Sequence, residues 1–301
     1  MNRSPLRARA AVGAAALLLL AIGAAACDDT LIDPFDNDGR IYTVYGFLEE
    51  DFEDLRHVVR VIPVTRIPEV ITDPADPRGD LDAVVTSTDL ATGETHRWTP
   101  ALERLDDGTY AHLYRSAFFV RRGHTYRLEV TRSDGRRAWA ETTVPSPSGI
   151  EPVFGAPVVG PGGAITQEVT LPRVASPWDV TVIYHVGGDF STTPMPVAYG
   201  REGTPTDDGG WRFTIHVSRD RGRLSARLGT PVDQVRFPAM GLKIRLLDDQ
   251  WTPPEGVFDP EVLAQPGALS NVENGYGFWG SIGLFQHDWQ LAPELRTLLG
   301  F

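Results

Sequence analysis

Residues 125–144 read TYRLEVTRSDGRRAWAETTV, with Tyr126, Leu128 and Val130 alternating against Arg127 and Glu129. A period of two puts one apolar and one polar face on the same strand, which constrains the segment to a sheet covered on one side. Asp134-Gly135 between the two runs predicts a type I′ hairpin turn with positive φ at both positions. The same kind of run recurs upstream as IYTVYGF (Ile41 to Phe47), HVVRVIPVT (His57 to Thr65) and AVVTSTDLATGETHRW, the last turning at Thr92-Gly93. About seven strands in this stretch fit an immunoglobulin-like or transthyretin-like antiparallel sandwich over residues 40–146.

The stretch from Pro145 to Gly163, PSPSGIEPVFGAPVVGPGG, is so rich in proline and glycine that it reads as a linker, assigned to residues 147–163. A second, less regular β-rich domain is expected over 164–301, with strands AITQEVTL, WDVTVIYHV, GWRFTIHV and GLKIRLLD. APELRTLL is the one fair helix candidate there, with Pro293 in the first turn. The 30 glycines and 24 prolines suggest many turns, and long helical periodicity is scarce, so the fold class expected is all-β.

The N-terminus reads as an export signal over residues 1–26. Arg3, Arg7 and Arg9 precede an apolar run, Ala10 to Ala26, that falls short of the about 20 predominantly apolar residues needed to span a bilayer. Cys27, the single cysteine, follows Ala24-Ala25-Ala26. That tetrad resembles the lipobox of bacterial lipoproteins, whose cysteine takes a diacylglyceryl group, although Leu is the usual residue where Ala24 stands. The other reading is an ordinary A-x-A cleavage site that leaves a free N-terminal thiol. Lipidation of Cys27 is the expectation, because an unpaired cysteine in an exported chain needs a purpose. Asp28, Asp29, Asp33, Asp36 and Asp38 then make an acidic tether over 27–39 that is too polar to fold.

Loss of the signal's three arginines leaves 25 basic against 40 acidic residues, a net charge of −15, which argues against nucleic acid as a partner. GYGFWG matches a dinucleotide fingerprint at Gly275, Gly277 and Gly280, with Glu294 downstream, but the context of a strand opening into a helix is missing. WGSIG misses a serine nucleophile elbow because Trp279 occupies the first small position. His57, His96, His112, His124, His185, His216 and His287 show no zinc-type spacing. Asp73, Asp76, Asp80 and Asp82 share one loop and form a calcium candidate, without the glycine or glutamate of an EF-hand. No catalytic motif, resident metal or cofactor is indicated.

IYTVYGFLEE, HTYRLEVTRSDGRRAWAETTVPSP and LSNVENGYGFWGSI together resemble, in that order, the bacterial lipoprotein family catalogued as domain of unknown function 4249. Its late block maps onto Ser270, Asn271, Val272, Asn274, Gly275, Gly277 and Phe278, with Asn274 where relatives more often have Gly. DDQWTPPEGVFDP departs from the Tyr-containing helix of relatives. The resemblance carries over no catalytic residue. It implies, by association only, an outer-membrane lipoprotein beside a TonB-dependent receptor, facing the periplasm or the surface. The expected role is therefore a non-enzymatic binding or accessory protein. A surface hydrolase using loop carboxylates and a structural envelope spacer are the alternatives. Asn271, Gly275, Tyr276, Gly277, Phe278 and Trp279 form the candidate contact, read as a loop for a partner or ligand or for the domain interface. Glycines alternating with aromatics leave the rings to pack elsewhere, either inside this chain or on a partner.

Overall fold

The computed structural model describes residues 39–51, 54–65, 70–146, 149–174, 177–187, 191–248 and 270–301. The residues read as an export signal and an acidic tether, with Cys27 between them, lie outside the described residues, as do residues 249–269. Arg40–Phe301 is one compact unit. It is all-β with small helical additions, as the alternation predicts.

The first half supplies β1 (Tyr42–Glu49), β2 (Arg56–Pro63), β3 (Val84–Asp89), β4 (Thr95–Arg97), β5 (Thr99–Arg104), β6 (Tyr110–Ala117), β7 (Thr125–Thr131) and β8 (Arg137–Thr143). The second supplies β9 (Val153–Phe154), β10 (Val158–Val159), β11 (Ile165–Leu171), β12 (Pro177–Gly187), β13 (Thr192–Gly200), β14 (Thr204–Pro205) and β15 (Trp211–Ile215). Helix α1 (Val217–Leu228), β16 (Ala239–Leu247), β17 (Gly275–Gln290) and helix α2 (Pro293–Leu299) complete it.

One eight-stranded sheet runs β13-β12-β16-β17-β1-β2-β6-β5. Every neighbouring pair in it is antiparallel except β17 with β1, which run parallel from Tyr42 opposite Gly275 to Glu49 opposite Ile282. The smaller sheets β4-β3-β7-β8 and β10-β11-β15-β14 face it. The first half is therefore an antiparallel sandwich, as expected. Two cores follow the two halves, but the large sheet is common to both, and β17 lends Trp279 to the first core and Phe285 to the second. Edge strand β13 carries Pro194 and Pro196, which lack the N–H that a further strand would bind.

Local expectations fail in three places. The stretch read as a linker contributes β9 and β10, which pair with β11 because its short Val-Phe and Val-Val runs lie between the prolines rather than on them. At the Asp134-Gly135 turn only Gly135 has positive φ (83°), so the hairpin closes through Arg132 and Arg136 and is not type I′. Helix α1 has no counterpart among the expected elements. It buries Val217, Asp220 and Leu224 and stops at Gly229 in the left-handed conformation (φ 67°).

Candidate functional site

The glycine-aromatic block proves to be the start of a strand rather than a loop. From Gly275 to Phe285, β17 is buried on both faces. Trp279 is fully buried and points into the first core, where its ring meets Trp98 edge to face at 5.8 Å. The glycines make room for this. A side chain at Gly46, opposite Trp279, would begin 3.2 Å from the Trp279 ring and 2.9 Å from Val59. At Gly277 the backbone takes φ 88°, and a Cβ would lie 2.1 Å from the Val44 carbonyl oxygen, so only glycine fits.

Asn271 explains how β17 stays satisfied where β16 has ended. Its side-chain amide donates to the Trp279 carbonyl at 2.7 Å and accepts from the Trp279 N–H at 2.9 Å, standing where a neighbouring strand's peptide would be. Tyr276 and Phe278 project to the opposite, outer face. Phe278 packs on Tyr45 (5.7 Å) and Phe47 (4.8 Å), and the Arg40 guanidinium lies 4.5 Å over the Tyr276 ring. The Tyr45 hydroxyl is buried without a hydrogen-bond partner, and burial pushes its pKa up to about 12, with Arg60 acting in the opposite direction. All six candidate residues thus meet on one strand and its approach, and they hold the two halves together.

Of the carboxylates buried among the described residues, Glu50 and Asp248 lie beside these elements and Asp220 lies beneath α1. Glu50 accepts from the Arg122 guanidinium and, at 3.1 Å, from the Leu284 N–H, while Arg122 also donates to the Leu284 carbonyl at 2.8 Å. Asp248 accepts from the Thr142 hydroxyl (2.5 Å) and the Thr143 N–H (3.0 Å), and Thr142 lies 2.8 Å from Ser281. Ser281, the serine of the near-elbow, is thus a buried member of this seam. Asp220, on the inner side of α1, accepts from the hydroxyls of Tyr184 (2.8 Å) and Tyr199 (2.5 Å). Burial first, and the Asp220 charge with it, push both tyrosines upward. Isolated acids between polar residues carry no spacing signal, so only the fold could reveal them.

The calcium candidate does not assemble. Asp76 is taken by Arg78, Asp73 caps Ala75, and Asp82 accepts from Ser133. The Arg78 guanidinium holds the Asp76 carboxyl at about 2, below the usual carboxylate range. Among the described residues no group of three or more His, Cys, Asp or Glu side chains is placed to hold a metal ion. Three histidines do meet carboxylates, His124 with Asp89 at 2.9 Å, His185 with Asp288 at 3.2 Å and, more loosely, His96 with Glu94 at 3.8 Å. His57 is buried against Phe118, whose ring also stacks on His96 at 4.0 Å. Among the described residues no helix is long and apolar enough to cross a membrane.

No family model matches this chain, and no curated protein matches it. Solved structures with partial likeness include a pullulanase from Anoxybacillus sp. LM18-11, at 12% identity and TM-score 0.22 over 78% of this chain and 27% of that one. A DUF4785 family protein from Legionella pneumophila aligns at 11% identity and TM-score 0.24 over 67% and 52% of the two chains. The chain thus spans about a quarter of the first and about half of the second. TM-scores this low establish no shared fold.

Proposed function

We propose that this chain is a lipid-anchored, non-enzymatic binding or accessory protein of the bacterial cell envelope, tethered through Cys27. The observation that carries the reading is the order of parts. A run with the pattern of an export signal leads to Ala24-Ala25-Ala26-Cys27, an acidic run follows, and the compact unit begins at Arg40. Two acyl chains suffice to hold such a protein at a bilayer. The accessory role is supported by where the carboxylates go, since Glu50 and Asp248 accept hydrogen bonds across the two halves and Asp220 accepts them inside the second. A place beside a TonB-dependent receptor rests on the family resemblance alone.

Intact mass of protein extracted from membranes tests the anchor. The expected species begins at Cys27 and carries acyl groups, and a mature chain with an unmodified thiol would overturn the reading. Cross-linking in native membranes tests the partner, with an outer-membrane receptor as the expected product.

A further inference from the structure

Helix α1 breaks the charge pattern of the chain. The protein carries 40 acidic against 28 basic residues, yet this one helix holds Arg219, Arg221, Arg223 and Arg227, and its single acid, Asp220, is fully buried. Arg219, Arg223 and Arg227 are four residues apart, so they line one side of the helix. Like charges at that spacing weaken a helix, and α1 tolerates them because Val217 and Leu224 hold it on the second core. Tertiary packing therefore keeps in place a cationic stripe that the helix alone disfavours.

The stripe is partly anchored and partly free to act. Arg219 stacks over Tyr199 at 4.6 Å and reaches Glu202 at 3.5 Å, and Arg227 donates to the Pro196 carbonyl at 2.7 Å. Arg223 is exposed. Arg221 lies against the end of α2, where a Cβ on Gly300 would fall 2.6 Å from its guanidinium. Helix α2 adds Arg296 and presents Leu298, 44% exposed. Besides buried Asp220, the acids here are Glu294 on α2, Asp233 in the turn after α1 and Glu202, which follows β13 and pairs with Arg219. Guanidinium groups on both helices, with the stripe on one flank of α1 and α2 with its exposed leucine on the other, match the chemistry of an anionic bilayer surface, where headgroup phosphates pair with guanidinium groups and an apolar side chain enters the interface.

We propose that the α1–α2 corner docks on anionic lipid headgroups and so sets the face that the compact unit turns toward the membrane. The proposal uses the anchored reading only for the presence of a bilayer, and its test leaves the anchor out. The Arg40–Phe301 unit is mixed with phosphatidylcholine vesicles, with and without phosphatidylglycerol, and sedimented. Binding is expected only to the anionic vesicles and is expected to fall as salt rises, because the attraction is screened. Each arginine near such a surface contributes about five-fold, so Arg223→Gln/Arg227→Gln is expected to weaken binding about twenty-five-fold with little change in melting. A control with the same loss of charge on the first core, Arg136→Gln/Arg137→Gln, is expected to bind as the wild type does.

Failure of the wild-type unit to bind anionic vesicles would overturn the proposal. So would an equal loss in the control, which would mark a net-charge effect. Capture of an acidic protein through the same stripe without vesicle binding would also sink it, in favour of a protein partner.

Discussion

The two cores are closed in different ways. In the first, sheet faces sheet, and Tyr42, Val44, Leu48, Val59 and Val61 meet Val85, Leu128, Val130 and Ala140 around Trp98 and Trp279. In the second, a short helix and a small sheet cover Val180, Val182, Tyr184, Leu242 and Ile244, and a carboxylate is buried among them. Alternation supplies a largely apolar surface on both sides of the first core, where buried Ser87 accepts from the Trp98 indole N–H at 3.0 Å. Beneath α1 the sheet presents two tyrosine hydroxyls, and a buried hydroxyl without a partner is costly, so Asp220 answers both. The first core is thus specified by shape, through glycines that admit rings, and the second by polar pairing.

The largest effect should come from the residue that crosses between them. Trp279→Ala is expected to cost about 3–5 kcal/mol, the usual range for a buried large aromatic truncated to Ala. Hydrogen exchange should place the loss in β1, β2 and β8 of the first half, although Trp279 belongs to the last strand. Loss confined to the second half would contradict the shared core. The fragment 40–146 expressed alone lacks Trp279 and Val272, and its melt is expected to show at least the same deficit.

Asp220→Ala should come next, with about 1–3 kcal/mol for each hydroxyl left without its acceptor. Adding Tyr184→Phe and Tyr199→Phe to it should recover part of the loss, because both hydroxyls left without an acceptor are then gone, although the His216 N–H, which donates to Tyr199 at 2.8 Å, loses its own partner. A double-mutant cycle by chemical denaturation reads this directly. Additive losses would mean that the three groups do not act together.

A smaller effect should appear with pH, and in the first core. Burial, with a contribution from His96, holds the His57 pKa below its ordinary 6.5, while the Phe118 carbonyl and Asp54 oppose the shift. As pH falls below about 6.5 the unfolded chain takes a proton that folded His57 refuses, so stability declines until the lowered folded pKa is reached. The melting temperature of His57→Gln should fall less steeply across that window than the wild type's. Identical slopes would remove His57 from the account.

At the surface the two cores should behave alike. Arg137 pairs with Glu129 at 3.2 Å on the first half and is 60% exposed, and its change to Ala is expected to stay within about 0.5 kcal/mol in a thermal melt.

Much of the strand content was legible because burial on one face forces alternation. The runs at Ile41, His57, Thr125, Ile165, Trp178 and Trp211 all appear as strands at nearly the expected bounds. Helix α1 was not legible, since VSRDRGRLSARL has few apolar residues and carries Gly222, and only Val217, Leu224 and the stop at Gly229 mark it in hindsight. At the candidate site the odd composition of residues 270–281 was visible, and so was the need of its rings for a partner. That Trp279 turns to one core while Phe278 turns to the outer face, or that Asn271 stands in for a missing strand, depends on neighbours far along the chain.

Side-chain alternation and turn residues were enough to establish that this chain is all-β and that its first half pairs into a sandwich. These are local properties, set by side-chain period, turn residues and short motifs within a few positions of one another. The tertiary structure alone decided that one sheet spans both halves, that β17 enters it parallel to β1, and that Glu50, Asp220 and Asp248 are held inside. Those features arise from groups separated by up to 234 positions, as between Glu50 and Leu284, and pairings over such distances form only when the packed fold brings both partners out of water.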